Sequence, residues 1–379
     1  MTRRYDLDWL RVLLFGLLVP YHAAIGFVGY GHNVYGYRNQ EAAGYWLDMA
    51  LFFSHSWRLS ALFMISGIGT WFLLRRVGAG AFAWNRVVRL GLPLVVAMLV
   101  WNAPIGWFHS IVRGEAVDFW GVYGDWLSRS PRSMAQHLWF LINLLAYSLL
   151  CLPLFLWLRG GRMSPMVFGL VLVGVLSVVE LALKPFGFWG DPLGYQHVWY
   201  LVFYAAGYWV MTLEASFWGR LAAVRWWLLG VGIVAAWLFF PFYEALSPRT
   251  PAAERLLSEG GWLDAGWAFH TPLTAAYSVL HCLNAVIWCG IVFAFAYYHF
   301  DRPSGVLSRL NRAVYPVFIF HFPVMMGGLL LCRYVDYPWY IEWFALTVFT
   351  FALSGLLYWV LDRGRIAPVL MGLKVRHTH

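Results

Sequence analysis

The sequence predicts an all-α fold, a polytopic membrane helical bundle of about ten transmembrane helices with both termini cytoplasmic. Three observations predict it. First, 61% of the 379 residues are hydrophobic and only 12% are charged, against about 25% charged in a soluble domain. Second, apolar stretches of about 20 residues, the length that crosses a bilayer, recur along the chain. With them come 24 Trp and 21 Tyr, material for aromatic belts at both interfaces. Third, the charges between the stretches are biased in sign. With the N-terminus inside, 17 Lys and Arg fall in cytoplasmic segments and 8 in the opposite loops, as the positive-inside rule requires. The net charge of +9 is then largely topology plus attraction to anionic lipids, and nucleic acid is not a predicted partner.

The elements follow in order. Helix one, about 9–30, begins in "LDWLRVLLFGLLVPYHAAIGF" (7–27); it is too long for a signal peptide and lacks a cleavage site, so it is expected to be retained. Helix two, 48–74, ends at "RRVGAGAFAWNR", a charged, Gly-containing boundary. Helix three, 90–108, starts in "NRVVRLGLPL". Helices four (137–157) and six (197–213) open on "HLWFL" and "HVWYL", either side of an apolar fifth, 165–183. Helix seven, 226–243, precedes "LSPRTPAAERLLSEGG". Helices eight (273–299), nine (313–331, with "YPVFIFHFPV") and ten (338–361) lead to a short basic tail. Loops 31–47, 109–136 and 244–272 are the largest polar excursions and face outside in this topology. One membrane domain over 1–379, with no separate soluble domain, is expected. Cys151, Cys282, Cys289 and Cys332 form no C-x-x-C and read as small core residues. The histidines are scattered without ligand spacing, so no metal is predicted.

Candidate site residues are the ionisable groups inside these helices, because such a group in hydrocarbon costs about 2.5 kcal/mol or more on insertion scales. Arg11 and His22 share a face of helix one, about 16 Å apart along the axis, and Asp8 precedes Arg11 by one turn on that face. Arg11 could snorkel to the headgroups. His22 is too deep for that, and Pro20 just before it leaves the Gly16 carbonyl without its helical donor. His55, Arg58 and Ser66 share a face of helix two. Arg58 reaches about the depth of His22, where a guanidinium would favour a neutral imidazole base; the alternative is polar glue between helices. Arg86 and Arg89, three apart, suit a phosphate clamp at a helix start or positive-inside charge alone. His137, in "HLWFL", reads as belt anchor or functional group. His321, flanked by Pro316 and Pro323, reads equally as packing or function.

Together these residues resemble the acyltransferase family 3 membrane proteins. The resemblance rests on "R-x10-H" in helix one (Arg11 to His22), "FMISG" in helix two, "R-x-x-R-L-x-x-P" (Arg86, Arg89, Pro93) and the late "YPVFIFHFPV". "HSWRLSALFMISG" and "HLWFL" are similar to its glucan-succinylating branch. The resemblance implies an inner-membrane, multi-pass enzyme that moves an acyl group, succinyl or acetyl, from cytoplasmic acyl-CoA to a hydroxyl of an extracytoplasmic glycan. His22 would be catalytic with Arg11 in support, and Arg86 with Arg89 would hold the donor. Arg58 or Ser66 would stabilise the oxyanion, with Asp8, His55, His137 and His321 supporting or facing the acceptor. An acyl-imidazole on His22 is a second route. Expected partners are membrane lipids, acyl-CoA and an envelope glycan, with a glycan synthase or a second copy of the chain open. A secondary transporter of a glycan or small anion is the alternative, since intramembrane Arg and His also mark transport paths.

Overall fold

The computed structural model describes residues 3–29, 31–37, 39, 41, 43–157, 163–183, 195–214, 216–246, 272–364 and 367–373. Among them every regular element is helical. Eight helices are long and apolar enough to cross a membrane, or nine when the bent pair Phe217–Ala223 and Arg225–Phe240 counts as one span. All ten expected segments are helical, and the difference in count is one of length. The sixth, Tyr195–Val210, has 16 residues, about 24 Å at 1.5 Å per residue, short of the ~30 Å hydrocarbon core. Of the expected outer loop 244–272, residues 247–271 lie outside the described residues.

The third span begins earlier than expected, at Ala79 rather than 90. Ala79–Arg86 passes into a π-helical turn Val87–Gly91, then Leu92–Val96, a second π-turn Ala97–Trp101, and Ala103–Val112. Pro93 and Pro104 give the physical reason. Neither has the N–H an α-helix would deliver four residues back, and widening a turn to i→i+5 bonding absorbs the defect. The Asn102 N–H to Ala97 carbonyl bond, 2.8 Å, has that register.

The chain divides into two compact units. The first holds Met1–Leu10, Phe53–Val77 and Leu150–Arg302; the second holds Arg11–Phe52, Gly78–Leu149 and Pro303–His379. In the first, helix Tyr45–Leu74 crosses helix Tyr195–Val210 at Gly67 and Gly207. A β-carbon on Gly67 would strike the Tyr204 carbonyl, and one on Gly207 the Met64 carbonyl. Small residues that let backbones touch are a principal way membrane helices pack. Buried Glu180 bonds His281 Nδ1 at 2.9 Å, and the His281 ring is parallel to those of Trp199 and Phe239, centres 4.9 and 5.4 Å away. Arg4 pairs with buried Asp6 at 2.6 Å and lies over the Trp218 ring at 4.4 Å.

The second unit is built round helix Gly305–Cys332. Its core joins Phe27, Tyr37, Met325, Met326, Leu329 and Leu346. Leu346 and Phe349 of helix Trp339–Leu361 close on Gly328, and Arg312 bonds Asp362 at 2.6 Å. The first span enters this unit broken at Leu17, between Tyr5–Gly16 and Leu18–Ile25. Pro20 causes the break, since it offers no N–H to Gly16. Beyond it, Trp343 Nε1 donates to the Pro20 carbonyl at 2.9 Å and fixes the segment that carries His22.

Candidate active site

Two polar contacts tie the first span to helix Gly305–Cys332. Arg11 Nη1 donates to Asn311 Oδ1 at 3.5 Å, and His22 Nδ1 lies 3.0 Å from His321 Nε2. The pairs are eleven residues apart on one span and ten on the other, so the two run parallel and nearly in step for about three turns. Arg11 is therefore joined to the same helix that meets His22, one level lower.

The hydrogens follow from what each nitrogen faces. His321 Nδ1 lies 2.7 Å from the Phe318 carbonyl oxygen. A carbonyl only accepts, so this nitrogen carries the hydrogen and, in the neutral ring, Nε2 is the acceptor. His22 must then donate through Nδ1, which makes Nε2 the nitrogen holding its lone pair. The two rings are within 9° of parallel with centres 5.2 Å apart. With 3.0 Å between the nitrogens, that is the arrangement of imidazoles joined edge to edge.

His137 completes the cluster. Its Nε2 lies 3.2 Å from both the Phe318 and Ile319 carbonyls. The Ile319 carbonyl is the one that Pro323, four residues on, cannot serve. His137 Nε2–H takes that place, so Nδ1 is the lone-pair nitrogen; it is buried and has no hydrogen-bond partner among the described residues. The ring lies along Phe322, centres 5.0 Å apart, and edge-on to His321 at 5.0 Å. At 7% exposure, His137 is not a belt anchor.

Local sequence explains how His137 arrives there. Ser130 caps the short helix Pro131–Ala135, and buried Asn102 donates to the Met134 and Ala135 carbonyls at 3.0 Å each. Gln136 then turns the chain at φ 47°, and His137 enters the bundle. A cavity of about 410 Å³ lies against the cluster, lined by His22, Tyr35, Arg132, His137, Trp139 and Phe322 among others.

The other expected residues sit elsewhere. Asp8 pairs with Arg3 at 2.8 Å. His55, Arg58 and Ser66 belong to the first unit, and the expected meeting of Arg58 with His22 stays an expectation. Arg58, 1% exposed, donates to Ser54 Oγ at 3.1 Å. Ser66 gives its hydroxyl hydrogen to the Leu62 carbonyl at 2.9 Å. Arg86 and Arg89 stand well inside a helix that begins at Ala79, which corrects their placement at a helix start; any anion they hold is held by guanidinium alone. Arg89 is exposed, and Gly372, at φ 69°, packs against its carbonyl. Sequence reasoning found each histidine as an anomaly but not their convergence. The signal was available in Pro323, whose orphaned carbonyl at Ile319 needs a donor from another element.

The family described as "Acyltransferase domain", acyltransferase family 3, matches residues 4–359. The chain belongs to this family. It is thus a multi-pass membrane protein of an acyltransferase family. Among curated relatives it is similar to glucans biosynthesis protein C of Escherichia coli strains K12, O1:K1 / APEC and O139:H28. Each is 28% identical over 160 residues, which is 42% of this chain and 40% of the relative, so the match spans less than half of those proteins. No solved structure matches.

Proposed function

We propose that this protein is an inner-membrane O-acyltransferase that moves succinyl or acetyl from cytoplasmic acyl-CoA to a hydroxyl of an extracytoplasmic glycan. Membership of the acyltransferase family supports the reaction class, and the partial likeness to glucans biosynthesis protein C supports a glycan acceptor. The observation that carries the mechanism is the directed chain from His22 through His321 to the Phe318 carbonyl, at the wall of a 410 Å³ cavity.

The acceptor hydroxyl gives its proton to Nε2 of His22 as its oxygen bonds the thioester carbonyl carbon. The carbon–sulfur bond then breaks, and the imidazolium returns that proton to the departing thiolate, so no net proton is consumed. His321 orients the imidazole and, through its Nε2 lone pair, stabilises the imidazolium that forms, the part a buried carboxylate plays in hydrolase triads. Arg86 and Arg89 hold the phosphates of coenzyme A as charge-assisted donors, and Arg11 supports His22 through the helix that both of them contact.

Inside-out vesicles supplied with labelled succinyl-CoA or acetyl-CoA test this, with label counted in envelope glycan. His22→Ala is expected to abolish incorporation, and His321→Ala to lower kcat by about 100-fold, within the range for lost general-base assistance, with KM for donor little changed. Wild-type incorporation by His22→Ala would end the proposal.

A further inference from the structure

A second, larger cavity of about 640 Å³ lies in the same unit, and its wall includes His32, Tyr37, Asn39, Arg113, Arg333 and Asp336. It and the histidine cavity share one strip of chain. Tyr35 lines the first, while Gly36 and Tyr37, the next two residues, line the second, and consecutive α-carbons are only about 3.8 Å apart. Gly36 makes the turn between them at φ 74°, where the Arg113 side chain lies against it.

The wall of this second cavity is preorganised by one buried carboxylate. Glu342, 2% exposed, accepts from the Tyr37 hydroxyl, from Asn39 Nδ2 at 2.8 Å and from the Tyr337 N–H at 3.1 Å. Asn39 in turn accepts from the Glu41 N–H at 2.8 Å. Burial and the neighbouring carboxylate push the Tyr37 phenol well above its usual range, so it remains the protonated donor to Glu342. A rigid wall lowers the ordering cost of binding.

From this juxtaposition we infer that the second cavity is a saccharide subsite, holding acceptor residues beyond the one whose hydroxyl reacts at His22. This rests on the acyl-transfer reading above and extends it. The lining mixes planar donors (Arg113, Arg333) with a planar acceptor (Asp336), the combination that hydrogen-bonds neighbouring sugar hydroxyls in pairs. Val112 and Val335 offer little surface to an acyl chain, and Asp336 opposes a polyphosphate. The volume lies within the usual range for small-ligand sites and has room for about two to three hexose rings. Arg333 also donates to the Ile111 carbonyl, which ties this wall to helix Ala103–Val112.

The test compares acceptors by length, using glucose and linear β-glucan oligosaccharides of two to five residues with the full chain in nanodiscs. For wild type, kcat/KM is expected to rise at least tenfold from one residue to three and then level off. In Asp336→Asn and Arg113→Gln, that ratio of long to short acceptor should collapse toward one. Direct binding is read separately as saturation-transfer signal from the pentasaccharide with no acyl donor present, expected in wild type and lost in both variants, whose melting temperatures are checked. Equal ratios in wild type and variants, or undiminished saturation transfer in both variants, would overturn the subsite. Absence of transfer to every acceptor, with pentasaccharide binding that depends on Asp336 and Arg113, would instead overturn the acyl-transfer reading and leave the subsite standing. Absence of pentasaccharide binding to wild type overturns the subsite whatever the transfer result.

Discussion

Pro323 has no N–H for the Ile319 carbonyl, and His137 supplies one through Nε2 at 3.2 Å. Replacing Pro323 with Ala restores the helical donor to that carbonyl and removes a residue that costs up to ~3 kcal/mol in a helix interior. Pro323→Ala should therefore melt no lower than wild type while losing at least tenfold in transfer rate as His137 loses its anchor; a wild-type rate would show that this carbonyl does not position His137. Gln136 carries the complementary strain, at φ 47° and ψ −125°, a region only glycine enters freely. Gln136→Gly is expected to stabilise the protein by about 1 kcal/mol, read as a higher melting temperature in detergent, and a fall would mean that the Gln136 amide bond to the Ser133 carbonyl at 2.8 Å outweighs the strain. At this scale the sequence made His22 and His321 conspicuous, each a polar group beside proline in an apolar run. It did not say that they touch, because spacing along one helix carries no information about which face of another it meets.

Helices were legible because the apolar runs are long and bounded by Gly, Pro and charge, and all ten expected segments are helical. The early start of the third span was missed for a specific reason: "AGAFAWNR" reads as loop beside its glycines, yet after Gly80 nothing in it opposes a helix. The π-turns are not legible in the sequence: the helix expected over 90–108 runs straight through Pro93 and Pro104, whereas a span closed in hydrocarbon must satisfy its own backbone and shifts register there. Packing between helices adds a constraint that neither hydropathy nor charge reveals. "FMISG" ends in Gly67, whose α-carbon faces the Tyr204 carbonyl with no room for a methyl group. Gly67→Ala must push helix Tyr195–Val210 away, breaking the contact at Gly207 as well. A loss of several kcal/mol is expected, in the range for overpacking or more, seen as a melting temperature lower by at least 10 °C or as failure to accumulate. Gly69→Ala, where a β-carbon would meet nothing within 4 Å, is the matched control and should behave as wild type.

Across the molecule, the distribution of cations does what no single residue can. The 17 to 8 split of Lys and Arg predicts which ends face the cytoplasm, and the proposed chemistry needs that assignment, since coenzyme A is charged and does not cross hydrocarbon. Within the second unit, Arg132 stands at the rim of the histidine cavity, and Arg363 lies over the Trp359 ring at 3.2 Å at the far end of helix Trp339–Leu361. If the assignment holds, the cavity opens outward and Arg363 faces the cytoplasm. Cysteine placed at each position reads this directly, in a chain whose own Cys151, Cys282, Cys289 and Cys332 are replaced by Ser or Ala. Arg132→Cys should react with a membrane-impermeant maleimide on intact spheroplasts, and Arg363→Cys only once the membrane is opened. The reverse pattern would put the proposed glycan cavities in the cytoplasm, where an extracytoplasmic acceptor is absent. Labelling of both from one side would mean that an even number of helices crosses between Arg132 and Arg363, the 16-residue Tyr195–Val210 being the first to suspect, and donor and acceptor would then have to meet on the same face of the membrane.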